Sequence, residues 1–209
     1  MKQGFVKVAS ATPRIRVADP VYNAQVICEQ AKEAAEHGAK IVVFPELCIT
    51  GYTCNDLFLQ ELLLEKAKEA LLTIAEETGQ LETLFLVGLP VDKDGRLYNV
   101  AAVLYRGRIL GMIPKKNIPM YAEFYEGRHF TPGEETVTEY RLGKQVIPFG
   151  SNLLFRCEEL PELILGCELC EDLWVAEPPS TSHALMGATV IANLSASNET
   201  VFKDDYRTL

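Results

Sequence analysis

The chain has 209 residues, 48% hydrophobic and 23% charged, ordinary globular values that exclude a disordered, collagen-like or coiled-coil chain and leave ample material for a core. Its 20 basic and 29 acidic side chains give a net charge of −9, with no basic cluster longer than Lys115-Lys116; this argues against nucleic acid or an anionic membrane as partner, because a phosphate surface needs a cationic patch to release its counterions. No leader or membrane span is legible, since Lys7 interrupts the first apolar run and the charge-free stretch 178–198 is broken by Ser, Thr and His183.

In chain order, Val6-Lys7-Val8 alternates as a strand does. Asp19-Pro20 then supplies an N-cap and first turn for a helix carrying Ala24, Ile27, Cys28, Ala31 and Ala35 at helical spacing and closing at Gly38. Lys40 to Phe44 is apolar and β-branched, and Pro45 steers Phe44 away from helical angles, so a buried strand ends just before Glu46. After a polar loop through Gly51-Tyr52, a second amphipathic helix is predicted from about Asp56 to Thr78. Leu57, Leu64, Ala67, Leu71, Leu72 and Ala75 form its apolar face, and Gly79 its stop. The period then shortens: Leu84 to Val87, Leu97 to Tyr105 and Arg108 to Ile113 read as strands joined by the hairpin dipeptides Asp94-Gly95 and Arg106-Gly107. Pro114 to about Gln145 reads as a long aromatic-rich loop of functional character. Strands follow near Asn152 to Arg156 and Leu163 to Cys167, then a short helix around Ser182 to Gly187 and a strand Thr189 to Leu194. The chain reaches Leu209 in a polar segment without a closing element, which reads as the front part of a longer protein.

Six cysteines (Cys28, Cys48, Cys54, Cys157, Cys167 and Cys170) read as free thiols of a reducing cytoplasm, because a chain of this length needs no disulfide staples. Cys170, directly after an apolar strand, stands where a strand end presents a nucleophile; a small buried thiol is the plainer alternative. Cys167-x-x-Cys170 also fits half of a zinc or redox pattern, but no second closely spaced pair and no nearby His completes it. A Cys-His dyad would have to draw on His37, His129 or His183, of which His37 reads as a helix C-cap. Glu46, closing a buried strand, suits a general base because burial raises a carboxylate's pKa. Lys115, after the strand Arg108 to Ile113, offers a fixed positive charge. Each alone could be an ordinary surface residue.

Together VVFPELCITGY, IPKKNIP and GCELCEDLW resemble the three motifs of the nitrilase (carbon-nitrogen hydrolase) superfamily, which carry a catalytic Glu, Lys and Cys in this order, here Glu46, Lys115 and Cys170. The longer segments PELCITGYTCNDLF, PKKNIPMYAEFYEGRHFTPG, CELCEDLW and NLSASN are similar to the branch formed by the glutaminase domains of glutamine-dependent NAD+ synthetases. That resemblance implies an α/β fold, a nitrilase-type α-β-β-α sandwich with two mixed sheets and outer helices, filling residues 1–209 and incomplete at its C-terminal end. It implies Glu126 as a second, supporting catalytic glutamate, and Tyr121, Phe124, Glu171 and Ser197 as the lining of a glutamine pocket. It further implies no metal or cofactor for this domain, ATP and Mg in a synthetase domain absent from the chain, and a homo-oligomer paired through the helical layers. The implied chemistry is glutamine hydrolysis through a thioester. A stand-alone amidase for a small amide and a zinc or thiol-redox module are the rival readings.

Overall fold

A computed structural model describes residues 4–208; residues 1–3, ahead of the apolar run that Lys7 interrupts, and Leu209 lie outside the described residues. Strand β1 (Val8–Ser10) leads to helix α1 (Pro20–Glu36), whose first turn is capped by the Asp19 carboxylate accepting from the Tyr22 amide, with Pro20 preset for the first helical position. Strand β2 (Ile41–Val43) and helix α2 (Glu61–Glu77) follow, and then a meander of β3 (Leu84–Lys93), β4 (Arg96–Tyr105) and β5 (Arg108–Pro114). Its turns at Asp94-Gly95 and Arg106-Gly107 place both residues of each pair at positive φ, the geometry that matches the twist of a two-residue hairpin. The hairpin β6 (Thr138–Leu142) and β7 (Gln145–Phe149) completes one sheet, in the order β1-β2-β3-β4-β5-β7-β6, parallel in β1-β2-β3 and at β5-β7 and antiparallel elsewhere. Strands β8 (Leu154–Arg156), β9 (Ile164–Leu169) and β10 (Val190–Leu194) form a second mixed sheet, with helix α3 (Pro179–Leu185) between β9 and β10. A short helix α4 (Lys203–Arg207) stands where the sequence shows only a polar tail.

The period-two alternation of the strands builds three layers of contact. From the first sheet, Leu86, Ala101, Val103 and Ile113 meet Leu165, Cys167, Leu169, Ala192 and Leu194 of the second, forming the core between the sheets. The opposite face of the first sheet (Val42, Phe85, Val87, Leu89, Ala102, Met112) packs on Ala24, Ile27 and Ala31 of α1 and Ala67, Leu71 and Ile74 of α2. On the outer side of the second sheet α3 lies so close that a Cβ at Gly166 would stand 2.9 Å from His183 Nδ1. Helix, sheet, sheet, helix is the resulting order, as the resemblance implies.

Beyond shifts of strand and helix ends, such as β3 running on to Lys93 and α3 starting at Pro179, the second helix and the stretch 114–145 differ most from the sequence reading. The second helix starts at Glu61, after a 3-10 stretch Tyr52–Leu59 in which Asn55 (φ 50°, ψ −131°) breaks the helical path. Its buried face is accordingly Leu63, Ala67, Ala70, Leu71, Ile74 and Ala75, while Leu57 and Leu72 are exposed. Gly79 stands just past the helix end, after the C-cap Thr78, without a positive φ, and a Cβ there would stand 3.1 Å from Glu76 O. The stretch 114–145 is not all loop, because β6 pairs with β7 across Leu142 and Gln145; its alternation of exposed Glu139 and Arg141 with buried Tyr140 and Leu142 belongs to an edge strand. Among the described residues no helix is long and apolar enough to cross a membrane.

Candidate active site

Strands β2, β3 and β5 run in one direction, and the segments that leave β2, β5, β9 and β10 converge at one end of the sandwich. Glu46 follows β2 by way of Pro45, Lys115 directly follows β5, Cys170 directly follows β9, and Ala196 and Ser197 follow β10. Two backbone features make this convergence possible. The loop carrying Glu46 lies against β3 at Gly88, where a Cβ would fall 2.3 Å from Leu47 N and 2.8 Å from Glu46 C, so only glycine fits there. Cys170 adopts φ 43°, a left-handed conformation that a cysteine takes at a conformational cost and that turns the side chain out of the strand direction. The following 3-10 turn (Cys170–Trp174) is tied to the lysine loop by Asp172. Its buried carboxylate accepts from Leu169 N (3.1 Å), Asn117 N (2.7 Å) and Asn117 Nδ2 (2.9 Å).

At the centre Lys115 is fully buried, and its Nζ donates to Glu46 Oε1 (2.7 Å) and to Glu126 Oε1 (2.7 Å) and Oε2 (2.9 Å). Asn99, buried on β4, donates from Nδ2 to Glu46 Oε1 at 2.7 Å and to Glu126 Oε2 at 3.5 Å; Tyr52 Oη donates to Glu126 Oε1 at 2.8 Å, and Ala196 N to Glu46 Oε2 at 3.1 Å. Two carboxylates thus share one ammonium out of contact with water. Burial pushes the Glu46 carboxyl above its ordinary value; Lys115 opposes this and Glu126 reinforces it. For Lys115 burial acts downward, but Glu46 and Glu126 together hold the ammonium above its ordinary value, so it stays charged. Lys116 points elsewhere and pairs with Glu135.

Cys170 is half-buried, and its Sγ lies 3.8 Å from Ser197 Oγ. Burial and the Glu46 charge raise the thiol above its ordinary value while Lys115 pulls it down. At the rim Tyr121 Oη donates to Glu171 Oε2 (2.8 Å), and the Tyr121 and Phe124 rings meet edge-on at 5.7 Å. Phe124 and Glu126 also line an adjoining cavity of about 440 Å³ together with Tyr52, Phe58, Ala196 and Asn198. The structure therefore gathers Glu46, Lys115, Cys170, Glu126, Tyr121, Phe124, Glu171 and Ser197 around one end of the sandwich. Asn99, Tyr52, Asp172 and Gly88 belong to the same place and escape the sequence reading. Asn99 had a signal, a lone amide inside the apolar run RLYNVAAVLY; Gly88 sits inside another such run, LFLVGLPV.

The alternative chemistries find different surroundings. Cys167 is enclosed in the core between the sheets, where burial raises its thiol, and among the described residues no group of three or more His, Cys, Asp and Glu is placed to hold a metal ion. His183 is buried with Nε2 2.9 Å from Ser151 O, His129 Nε2 is 3.0 Å from Asp56 Oδ1, and His37 Nδ1 is 2.8 Å from Glu33 O at the end of α1. The charged groups that act on Cys170 are Glu46 and Lys115.

A family model described as carbon-nitrogen hydrolase matches residues 7–205. The chain is 41% identical over 208 residues to the glutamine-dependent NAD(+) synthetase of Mycobacterium bovis, covering 100% of this chain and 31% of that protein. It is similar in structure, with a TM-score of 0.86 and 29% identity, to a glutamine-dependent NAD(+) synthetase from Cytophaga hutchinsonii, over 97% of this chain and 32% of that one. An amidase from Nesterenkonia sp. shares the fold (TM-score 0.68, 21% identity, 95% of this chain and 68% of that one). The chain thus spans about a third of the length of the synthetases it matches. It belongs to the carbon-nitrogen hydrolase family.

Proposed function

We propose that this chain is the glutaminase part of a glutamine-dependent NAD+ synthetase and hydrolyses the side-chain amide of glutamine to glutamate and ammonia through a thioester on Cys170. The observation that carries the reading is the enclosed Glu46-Lys115-Glu126 cluster beside a strained, half-buried cysteine. Glu46, with its carboxyl raised by burial, takes the thiol proton as Sγ attacks the amide carbon, and hands it to the departing nitrogen, so ammonia leaves. It then takes a proton from the water that attacks the thioester and returns it to sulfur as glutamate departs. Lys115 stabilises the oxyanion of both tetrahedral species: it bonds both oxygens of Glu126, which Tyr52 and Asn99 also serve, so one of those N–H groups can turn to the new oxygen. Tyr121, Phe124, Glu171 and Ser197 receive the substrate, with the Glu171 carboxylate suited to an α-ammonium group.

In this reading ATP and Mg belong to a synthetase domain joined to this one, which consumes the ammonia, and subunits pair through the helical layer, where Val21 and Leu62 are exposed. Every step above uses side chains of this chain alone. The test is Cys170→Ala in the protein that joins the two domains: NAD+ formation from glutamine should stop, while formation from added ammonia continues. If both rates fell together in a folded variant, Cys170 would be structural; if both survived, it would have no part in the reaction. Ammonia release from small aliphatic amides but not from glutamine would instead favour an amidase.

A further inference from the structure

Resting on that reading, we infer that Asn99 is a positioning residue that, with Lys115, occupies Oε1 of Glu46 and so confines the travelling proton to Oε2. Both oxygens are buried with Glu46, yet they differ sharply in partners. Oε1 accepts two donors at 2.7 Å, the Lys115 ammonium and the Asn99 amide, and has no direction left for a proton. Oε2 accepts only the Ala196 amide among the described residues, at 3.1 Å. Ala196 directly precedes Ser197, whose Oγ lies 3.8 Å from Cys170 Sγ, so the segment that bonds the open oxygen is also the one that meets the nucleophile.

The orientation of Asn99 follows from its neighbours. Turned over, it would aim its own carbonyl at Glu46 Oε1 and Glu126 Oε2, both carboxylate oxygens. In the orientation seen, its Oδ1 is buried without a hydrogen-bond partner, an arrangement that costs stability and that strand pairing does not need. The backbone of Asn99 has its own task, its carbonyl accepting from Lys115 N at 2.8 Å. The side chain is therefore separable from the fold. A one-sided carboxylate has a use: the same oxygen takes the thiol proton and must deliver it to the nitrogen that leaves from the same sulfur-bound carbon, and a proton lodged on Oε1 would face Lys115 instead.

The charged and titratable groups facing Glu46 are Lys115 after β5, Glu126 in the 3-10 turn Glu126–Arg128, Cys170 after β9 and Tyr52 in the 3-10 stretch after β2. Asn99 is a neutral side-chain donor beside them and favours the ionised carboxylate. Removing it destabilises the charged form, so Glu46 stays protonated to higher pH, and any step that needs the Glu46 anion has its acid limb displaced upward.

The test is the rate of Cys170 alkylation by iodoacetamide against pH, read by mass spectrometry, in the wild type, Asn99→Leu and Asn99→Asp. Because no glutamine is involved, this readout survives a wrong substrate assignment, whereas inactivity of the wild type on glutamine would count against the function reading alone. Both variants should shift the acid limb upward by about one pH unit and slow alkylation at neutral pH about ten-fold; the near-isosteric aspartate covers the case in which leucine does not fold, since an ionised carboxylate at that position would repel the Glu46 anion. On glutamine, the same variants should lower kcat more than they alter KM. An acid limb unmoved in a folded variant, or a loss confined to KM, would overturn the assignment and leave Asn99 a framework residue.

Discussion

Glu46, Lys115 and Glu126 are buried with every charged atom hydrogen-bonded, whereas Cys170, Tyr121, Glu171 and Ser197, at the rim beside them, are half-buried or exposed and make few contacts. The first group is fixed before any substrate arrives, which is what acid-base and electrostatic catalysis require, since dipoles already in place need no reorganisation in the transition state. The second keeps donors and acceptors unspent for a ligand. The difference predicts that changes in the interior will cost both folding and turnover, and changes at the rim mainly substrate affinity.

Lys115→Ala should show the largest effect. Removing the ammonium leaves two buried carboxylates facing each other, a break that costs about 3–5 kcal/mol in comparable buried pairs. Turnover on glutamine should fall at least about a hundred-fold with the oxyanion donor gone. Lys116→Ala, one residue away on an exposed pair with Glu135, should change stability by less than about 0.5 kcal/mol and turnover little. Parallel denaturation and kinetic measurements decide this, and equal losses for the two lysines would erase the contrast.

Gly88→Ala comes next and probes the interior without touching a charge. The new methyl group must push the Glu46 loop away from β3. About 1–3 kcal/mol of stability should be lost to overpacking, and about a hundred-fold of turnover to displacement of the base. Full activity in this variant would show that the position of Glu46 is not fixed by the sheet beneath it.

The smallest effect is expected at the rim. Tyr121→Phe removes the hydroxyl that holds Glu171, on a side chain 54% exposed. KM for glutamine should rise about five-fold, with kcat nearly unchanged and stability within about 0.5 kcal/mol, as loss of one exposed hydrogen bond implies. A fall in kcat with unchanged KM would move Tyr121 into the acid-base machinery.

What was legible in the sequence follows the same division. Residues that end apolar strands, such as Glu46 after KIVVF and Cys170 after LILGCEL, announce themselves because the pattern breaks where they stand, and Asp19-Pro20 marks the start of α1 for the same reason. The hairpin glycines were equally plain, since positive φ leaves few alternatives. Asn55 hid the break before α2, because its backbone departs from helical angles within a run whose composition still suits a helix. The edge strand β6 looked like loop because half of its side chains face outward. Asn99 and Gly88 were illegible in function: what each does depends on a partner brought up from the loop after β2, Glu46 in both cases, and no local pattern encodes that meeting.

Labelling with a diazoketone analogue of glutamine tests the central claim most directly, because it requires a substrate pocket, a nearby base and an activated sulfur at one place. The label should appear on Cys170 alone, leaving buried Cys28, Cys48, Cys54 and Cys167 and half-buried Cys157 unmodified, and glutamine should protect against it. A label on Cys157, or spread evenly over the six thiols, would contradict the assignment of Cys170 as the nucleophile.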